Sequence, residues 1–415
     1  MFEKKGFRIL HTSDWHLGNT LKDKDRTEEF EKFLNWLIEI LKEEQVDALI
    51  VAGDIFDVAN PSHRIQEIYY RFLARVSLSG CSQVVIISGN HDSGLLLDAP
   101  KNLLSTISIH VVGSVCKGDL SNEIIELKNK NDEVEMIVCA VPYLREAALR
   151  DVAPKDIDRD IAKLVVEGTR AHYQAVFDLA SQKKQMLENT NIPIVAMGHL
   201  FAANVSGGKD EGIRDVVGNL GLIEVDVFPE GFDYVALGHI HRAQKVGGLN
   251  HIRYSGAPLL MGFDEIGQKR IVHIVDFPKG ESCVVEKKEV PIFQEFCRIT
   301  GDLATIKNEL YLLREKKSKA FVEIVYEGEE FIGNLSYRLK EDLEDVTFIV
   351  VRLVNKSDAL LGVYLDEKVE DLSEMREEDV FLKLLNSKNV PEEQCQELLN
   401  AFREILTAED EEEAV

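Results

Sequence analysis

The sequence lacks the signals of several protein classes. No two of its six cysteines form a CxxC pair, which argues against a disulfide framework and against a zinc site built from thiolates. It contains no run of about 18 apolar residues, so no transmembrane segment is predicted. The N-terminal stretch MFEKKGFRIL has no apolar core of the kind that signal peptides carry. These absences favour a reducing compartment, and we expect a cytoplasmic protein without membrane contact.

Positive charge is also scarce, because 48 Lys and Arg stand against 73 Asp and Glu, for a formal net charge of −25. This balance gives no support to nucleic-acid binding, which uses Lys and Arg at the phosphates. The excess is uneven, however, since residues 366–415 hold 5 basic and 17 acidic side chains. Bound divalent cations would also alter the local field. The net charge therefore neither supports nor excludes a nucleic-acid substrate.

Short apolar runs alternate with amphipathic segments over residues 1–275. Five runs are typical of strands buried on both faces: FRILH, DALIVAG, QVVIISG, IPIVAMG and DYVALG. The segments RTEEFEKFLNWLIEILKEEQ and SHRIQEIYYRFLARVSL carry their apolar residues on one helical stripe, and residues 157–186 form another long helical stretch. The pattern predicts a layered α/β domain.

Turn residues in FPKGESCVVEKKEVPIF divide the chain, and we predict a first domain over residues 1–280. A second, small α/β domain is predicted over residues 285–357, with the order strand EFCRIT, helix LATIKNELYLLREK, strand AFVEIVYEG, helix NLSYRLKEDLED and strand VTFIVVRLV. An acidic stretch then reads as a tether. Two amphipathic helices are predicted within residues 377–407, where they either pack on this chain or form a surface for a partner.

Each of the five strands leads into side chains that can bind a metal. The motifs are D-x-H, GD, GNHD, GH and GHxH, in that order along the chain. Any one of them alone is ordinary turn chemistry, but the whole series is highly specific. Loops at the carboxyl ends of neighbouring strands converge in space, which is where α/β folds place their sites. The candidate metal ligands are Asp14, His16, Asp54, Asn90, His199, His239 and His241.

The spacing of these motifs suggests how two ions would be shared. In D-x-H and H-x-H, side chains two residues apart point to the same side of an extended segment. Asp14 and His16 could hold one ion with His241, the remaining amide and imidazoles could hold a second, and Asp54 could bridge the two. Nitrogen and oxygen ligands suit manganese, iron or zinc, and the carboxylates favour manganese. Two ions ~3.5–4 Å apart would clamp a phosphoryl group for in-line attack.

His91 directly follows Asn90 and would lie beside the ions without binding them. That position suits a general acid for the departing oxygen, or a hydrogen-bond donor to the phosphate in the transition state. We expect the next residue, Asp92, to orient an imidazole. His11 precedes the D-x-H motif and is expected to pack or cap the strand end.

The ordered motifs resemble those of the calcineurin-like metallophosphoesterases. The longer strings HTSDWHLG, VDALIVAGDIFD, SGNHDS, DYVALGHIHRAQ and YSGAPLLMGFDE are closer still to the SbcD nucleases of bacterial SbcC–SbcD complexes. The resemblance covers residues 7–275. It implies a four-layer αββα sandwich with a small α/β capping domain and a C-terminal helical pair. It also implies two manganese ions on the seven candidate ligands, with His91 as the catalytic residue.

The resemblance further implies an activity and partners. The activity would be a manganese-dependent 3′→5′ exonuclease on duplex DNA ends and an endonuclease on single strands and hairpins. Residues 285–357 would be the capping domain that positions DNA, and residues 377–407 would dock on the coiled-coil base of an SbcC-like ATPase. Helices such as 62–79, and the one near 93–105, would pair two nuclease domains into a homodimer within a two-plus-two heterotetramer.

One departure from the family pattern concerns the stretch GDIFDVANPS. Archaeal and eukaryotic relatives carry a second active-site histidine shortly after GD, and Asp57 stands at that position here. An aspartate cannot replace a cationic imidazole, so help for His91 from this position stays open.

Two other functions remain open from the sequence. One is a phosphodiesterase or phosphatase that acts on a small substrate with the same two-metal core, and the other is a scaffold without activity. The capping domain and the helical tail favour the nuclease, because an enzyme for small substrates needs neither. His91 beside Asn90 argues against a scaffold.

Overall fold

The computed structural model of the chain describes residues 4–116, 118–129, 131–152, 161–187, 191–202, 224–328, 332, 335–356, 385, 398, 399 and 402. The chain divides into two compact units, residues 1–293 and 294–415. Apart from four positions, the helical pair predicted within residues 377–407 lies outside the described residues.

The strands of the first unit form two six-stranded sheets. They are β1 (Phe7–Thr12), β2 (Ala48–Ala52), β3 (Gln83–Ile87), β4 (Ile109–Val112), β5 (Ile124–Lys128), β6 (Val134–Ala140), β7 (Ile194–His199), β8 (Tyr234–Gly238), β9 (Gln244–Lys245), β10 (Ile252–Tyr254), β11 (Ile271–Phe277) and β12 (Val284–Glu289). The first sheet has the order β12-β11-β1-β2-β3-β4, and the second has the order β5-β6-β7-β8-β10-β9. Parallel strands fill the centre of each sheet, and antiparallel strands flank them.

Helices cover the outer face of each sheet. They are α1 (Thr27–Glu43), α2 (His63–Val76), α3 (Gly94–Asp98), α4 (Lys101–Ser105), α5 (Glu146–Val152) and α6 (Ile161–Met186). The hydroxyl of Ser62 accepts a hydrogen bond from the backbone N–H of Ile65 and so caps the first turn of α2. The single helix predicted near 93–105 is wrong, because Pro100 separates α3 from α4.

Three apolar cores separate the four layers. Phe33 of α1 packs in one core with Leu49 of the first sheet. A second core between the sheets joins Ile50 to Met197. Tyr173 of α6 packs in a third core on the far face of the second sheet. The predicted αββα order is therefore confirmed, and each fully buried aliphatic side chain contributes about 1.5–3 kcal/mol of hydrophobic free energy to it.

The second unit contains β13 (Phe296–Gly301), α7 (Leu303–Glu315), β14 (Phe321–Tyr326), α8 (Leu335–Arg338) and β15 (Ile349–Asn355). Its strands are parallel, in the order β13-β14-β15. The helix predicted from NLSYRLKEDLED is wrong in length, since α8 covers one turn and a 3₁₀ turn follows at Glu341–Leu343. The guanidinium of Arg314 donates to the backbone carbonyls of residues 341, 342 and 344, which draws them away from a helical ladder.

Within these described ranges, every helix is too short or too polar to cross a lipid bilayer. Five cysteines lie among the described residues, and all five are free thiols.

Candidate metal centre

The loops that carry the predicted ligands lie at one edge of the first unit. Strands β1, β2 and β3 are neighbours in the first sheet, and β7 and β8 are neighbours in the second. The loops after β1 and β2 run side by side, since the backbone N–H groups of Asp14 and His16 donate to the carbonyls of Gly53 and Asp54 at 3.0 Å. All seven predicted ligands are brought together at this edge, which we call the ligand cluster.

One half of the ligand cluster consists of Asp14, His16 and His241. Each of them places one ligand atom within 4.8 Å of the others. The Nε2 atoms of the two imidazoles face each other at 3.2 Å. Because two imidazole nitrogens at this distance can share only one hydrogen, a cation bound between them suits both better than the hydrogen does.

The other half of the cluster is built around the side-chain oxygen of Asn90. This oxygen lies 2.9 Å from Nε2 of His199 and 3.0 Å from Nδ1 of His239. The Nδ1 atom of His199 lies 2.9 Å from the carbonyl of Ala52, and a carbonyl can only accept. The hydrogen of His199 therefore sits on Nδ1, and its Nε2 lone pair points into the cluster, the orientation that metal ligation needs.

Asp54 lies between the two halves. Its Oδ2 atom is 3.2 Å from Nε2 of His199 and 3.5 Å from Nε2 of His16. The same carboxylate oxygen is thus within reach of both groups of ligands. Asp54 and Asp14 are 2% and 0% exposed, and buried carboxylates need positive charge beside them. These donors fit a pair of divalent cations.

Four residues of the cluster have a left-handed backbone that non-glycine residues rarely adopt. The φ angles are 53° for Asp14, 46° for His16, 49° for Asp54 and 103° for His239. Such conformations cost of order 1–3 kcal/mol each and persist where surrounding packing enforces them. The fold therefore spends stability to aim these side chains inward.

Two glycines let the ligand loops approach one another. Gly53 has a φ of +85°, and a Cβ atom there would lie 2.4 Å from the ring of His199. A Cβ atom on Gly89 would lie 2.1 Å from the carboxylate of Asp54. Both contacts are far below van der Waals distance, so the glycine of the GD motif and that of the GNHD motif are steric requirements of the cluster.

The electrostatics of the cluster favour bound positive charge. Burial raises the pKa of Asp54, but the imidazole of His199 outweighs burial and holds that pKa well below its usual range. Burial lowers the pKa of His199, whereas the carboxylates of Asp54 and Asp14 raise it, to about 9 in balance. Burial and the charge of His199 lower the pKa of His239 to about 3. The carboxylates thus hold a cation at the centre of the site even when that cation is a proton on an imidazole.

His91 lies at the rim of the cluster, half-buried, with its ring centre 4.8 Å from that of His16. Its backbone N–H donates to Oδ1 of Asp54 at 3.0 Å. Its Nδ1 lies 2.8 Å from the backbone carbonyl of Asp57, so Nδ1 carries the hydrogen. The Nε2 atom of His91 is the nitrogen left for substrate.

Asp92 does not orient an imidazole, and that expectation is wrong. Its carboxylate accepts the backbone N–H groups of Gly89, Ile55 and Phe56 at 2.8–3.1 Å. Asp92 is fully buried, and it ties the loop after β2 to the loop after β3. The aspartate of the GNHD motif is therefore a backbone clamp, which holds Asp54 and Asn90 in mutual register.

The sequence left open what Asp57 does, and the structure gives it contacts with two histidines of the site. Its carboxylate lies 3.2 Å from Nδ1 of His16, and its backbone carbonyl holds His91. Two further residues near the site had no motif to reveal them. The ring of Tyr143 lies 6.3 Å from that of His199, and Arg145 donates to the backbone carbonyl of Asp92 at 3.3 Å. Only their position after β6 in the sheet order could have indicated them.

We expect Asp57→Asn to weaken metal binding by about 10- to 100-fold, because His16 loses the anion that orients its ring. The backbone carbonyl that holds His91 is retained in this variant. Isothermal titration with Mn²⁺ would measure the change, with Asp25→Asn as a control on an exposed carboxylate outside the cluster. Unchanged manganese affinity in Asp57→Asn would contradict the orienting role.

The remaining histidines lie elsewhere. His11 is buried between the sheets, where its Nδ1 lies 2.9 Å from the hydroxyl of Tyr234, in keeping with the packing role expected for it. His172 pairs with Glu123 at 2.7 Å inside the core beneath α6.

Comparison with known proteins gives two family matches. The calcineurin-like phosphoesterase family matches residues 7–243. The family described as the type 5 capsule protein repressor C-terminal domain matches residues 292–389.

Curated relatives share one name, which describes the SbcD component of the nuclease SbcCD. The protein of that name from Escherichia coli K12 is 33% identical over 407 residues, which is 96% of this chain and 98% of the relative. The Rhodobacter capsulatus protein is 38% identical over 279 residues, 66% of this chain and 67% of the relative. The Bacillus subtilis protein is 33% identical over 276 residues, again 66% and 67%.

Proposed function

The chain belongs to the calcineurin-like phosphoesterase family and, within it, to the SbcD group of nucleases, and on this premise we propose that it is a metal-dependent DNA nuclease. The observation that carries the proposal is the position of Asp54. One of its carboxylate oxygens lies between two separate groups of nitrogen and oxygen ligands, as a bridged pair of cations requires.

We propose that Asp14, His16 and His241 hold one divalent cation, that Asn90 and the other two imidazoles of the ligand cluster hold the second, and that Asp54 bridges them. Two cations in this place would supply charge to neutralise the phosphodiester and to activate water. The protein's contribution is a rigid, largely buried frame, in which ring orientations are set by carbonyl and carboxylate partners.

His91 is proposed as the catalytic residue. Its Nδ1 hydrogen is fixed on the carbonyl of Asp57, so the ring has a fixed direction. In the protonated ring, Nε2 would present a hydrogen to the oxygen that leaves phosphorus, or to a phosphate oxygen in the transition state. No cationic side chain replaces the second histidine of archaeal and eukaryotic relatives at position 57, so Asp57 acts on His91 only by holding it.

We propose manganese as the ion, because two carboxylates and an amide oxygen accompany the imidazoles in the cluster and thiolates are absent from it. The proposed activities are 3′→5′ exonuclease on duplex ends and endonuclease on single strands and hairpins. They rest on membership of the SbcD group. Residues 285–357 are proposed to act as the capping domain that positions DNA, and a cytoplasmic location follows from the substrate.

The purified chain with Mn²⁺ tests the proposed function directly. We expect it to cut a single-stranded oligonucleotide faster than it hydrolyses 4-nitrophenyl phosphate, and to lose both activities in EDTA. Hydrolysis of the small ester without cleavage of the oligonucleotide would instead favour a phosphatase on the same metal centre.

A partner is also proposed, in keeping with the relatives' name, which describes one component of SbcCD. We propose that residues 377–407 dock on an SbcC-like ATPase and that two nuclease domains pair within a two-plus-two heterotetramer. The acidic stretch before this segment would act as its tether.

Deletion of residues 377–415 is expected to abolish association with the SbcC-like ATPase and to retain manganese-dependent cleavage of single strands. The reason is that the ligand cluster lies wholly within residues 14–241. A pull-down on the immobilised ATPase measures the effect. Deletion of residues 408–415 alone, the acidic end AEDEEEAV, serves as the control and should leave binding intact. Undiminished capture of the ATPase by the longer deletion would place the docking surface elsewhere.

A further inference from the structure

A cavity of about 450 Å³ opens beside the ligand cluster at His241. Its walls come from both sheets, because Ser255 follows β10 and Ile271 begins β11. Since β11 is antiparallel to β1, the start of β11 lies at the same sheet edge as the ligand loops. The cavity also connects to the cluster through hydrogen bonds, as the hydroxyls of Ser255 and Ser13 lie 2.7 Å apart and Ser13 donates to Asp14.

The charge of this cavity opposes that of the protein. The chain has a formal net charge of −25, yet the charged residues that line the cavity are four cations and one anion. They are Arg242, Lys269, Arg270, Lys287 and Glu289. We call this site the basic cavity. A net positive lining beside a phosphoester centre, in an otherwise acidic protein, focuses anions onto that centre.

Two of these cations are available to a ligand. Arg242 and Lys287 are exposed, and neither forms an ion pair or a side-chain hydrogen bond with any residue in the described part of the chain. Lys287 lies directly opposite His273 in the β11–β12 ladder, so its side chain leaves the sheet on the face that looks toward the second sheet. Lys269 is instead held by Glu289 at 2.5 Å.

Arg270 forms the inner wall and is 8% exposed. Its guanidinium donates to the backbone carbonyl of His241 at 2.7 Å and pairs with the buried carboxylate of Glu265. Its Nε hydrogen is buried without a hydrogen-bond partner among the described residues. Buried donors of this kind are normally satisfied, so an acceptor is missing from this wall.

We infer that the basic cavity binds the backbone phosphate that neighbours the cleaved linkage on the same DNA strand. The inference rests on the proposed nuclease function and adds a specific subsite to it. Arg242 and Lys287 contact the phosphate, and Arg270 ties this contact to the loop of His241. A strand anchored here lies across the ligand cluster in one register, so the subsite determines which linkage meets His91.

The test is the double variant Arg242→Ala/Lys287→Ala in the full chain. Fluorescence anisotropy of a labelled single-stranded oligonucleotide is measured in EDTA over a series of salt concentrations, so that binding is read without cleavage. Each lost phosphate contact is expected to lower the slope of log affinity against log salt by about 1, and the double variant to bind about tenfold more weakly. The KM for oligonucleotide cleavage with Mn²⁺ should rise in parallel.

Lys42→Ala/Lys279→Ala is the matched control, because it removes two exposed cations at the opposite edge of the parallel strands. It should bind and cleave as the wild type does. A double variant of the basic cavity with wild-type affinity and salt slope would overturn the subsite. A wild-type chain that binds but never cleaves would overturn the proposed function, while the difference in salt slope would still support the subsite.

Discussion

Replacing His91 with alanine is expected to lower kcat for DNA cleavage by about 10²- to 10⁴-fold, the usual contribution of a positioned proton donor. The manganese content should stay at two ions per chain, because the nitrogen of His91 that the chain fixes is held by a backbone carbonyl and the ligand cluster remains whole. Single-turnover cleavage of an oligonucleotide and metal analysis of the same sample would measure both quantities.

The matched control is His63→Ala, which removes an exposed histidine at the start of α2. It should retain full activity. If His91→Ala cleaved DNA at the wild-type rate, the catalytic role of His91 would be excluded. If it lost activity together with its metals, His91 would be a ligand instead.

Asp92→Ala is expected to destabilise the first unit by about 3–5 kcal/mol, since three buried backbone N–H groups would lose their acceptor at once. This is a large part of the about 5–15 kcal/mol that stabilises a typical domain. Metal binding should fail as well, because the carboxylate holds the loops of Asp54 and Asn90 together. Urea unfolding followed by tryptophan fluorescence suits the measurement, because both tryptophans, Trp15 and Trp36, lie in the first unit.

Asp98→Ala is the control for this experiment. Its carboxylate accepts one backbone N–H, that of Gly113 at 2.9 Å, and the residue is not fully buried. A loss of about 1 kcal/mol is expected there. Equal destabilisation by the two substitutions would show that Asp92 is not a clamp between the loops.

Much of the fold could be predicted from the sequence because the central strands are covered on both faces. Continuous apolar runs such as ALIVA and QVVII are typical of such strands, and both were found. The stripe of Phe30, Phe33 and Leu37 likewise predicted α1. The flanking strands escaped the sequence reading for the opposite physical reason. Strand β12 alternates exposed and half-buried residues, so its pattern resembles that of a loop.

The candidate site could be predicted in its composition but not in its geometry. Five motifs at strand ends identified the side chains, because parallel strands bring their carboxyl ends to one edge. The left-handed backbone at Asp14, His16 and Asp54 has no sequence signal, since only glycine announces such a conformation. The role of Asp92 was missed for a related reason. Its partners are backbone N–H groups of two loops, and sequence alone does not show which loops adjoin.

The central claim is that loops from five strands seat two cations bridged by Asp54. Electron paramagnetic resonance of the manganese-loaded protein tests it most directly, together with the ratio of manganese to chain. We predict two ions per chain with the signature of exchange coupling, and loss of that coupling in Asp54→Ala. One ion per chain, or two ions that show no coupling in the wild-type protein, would contradict the claim.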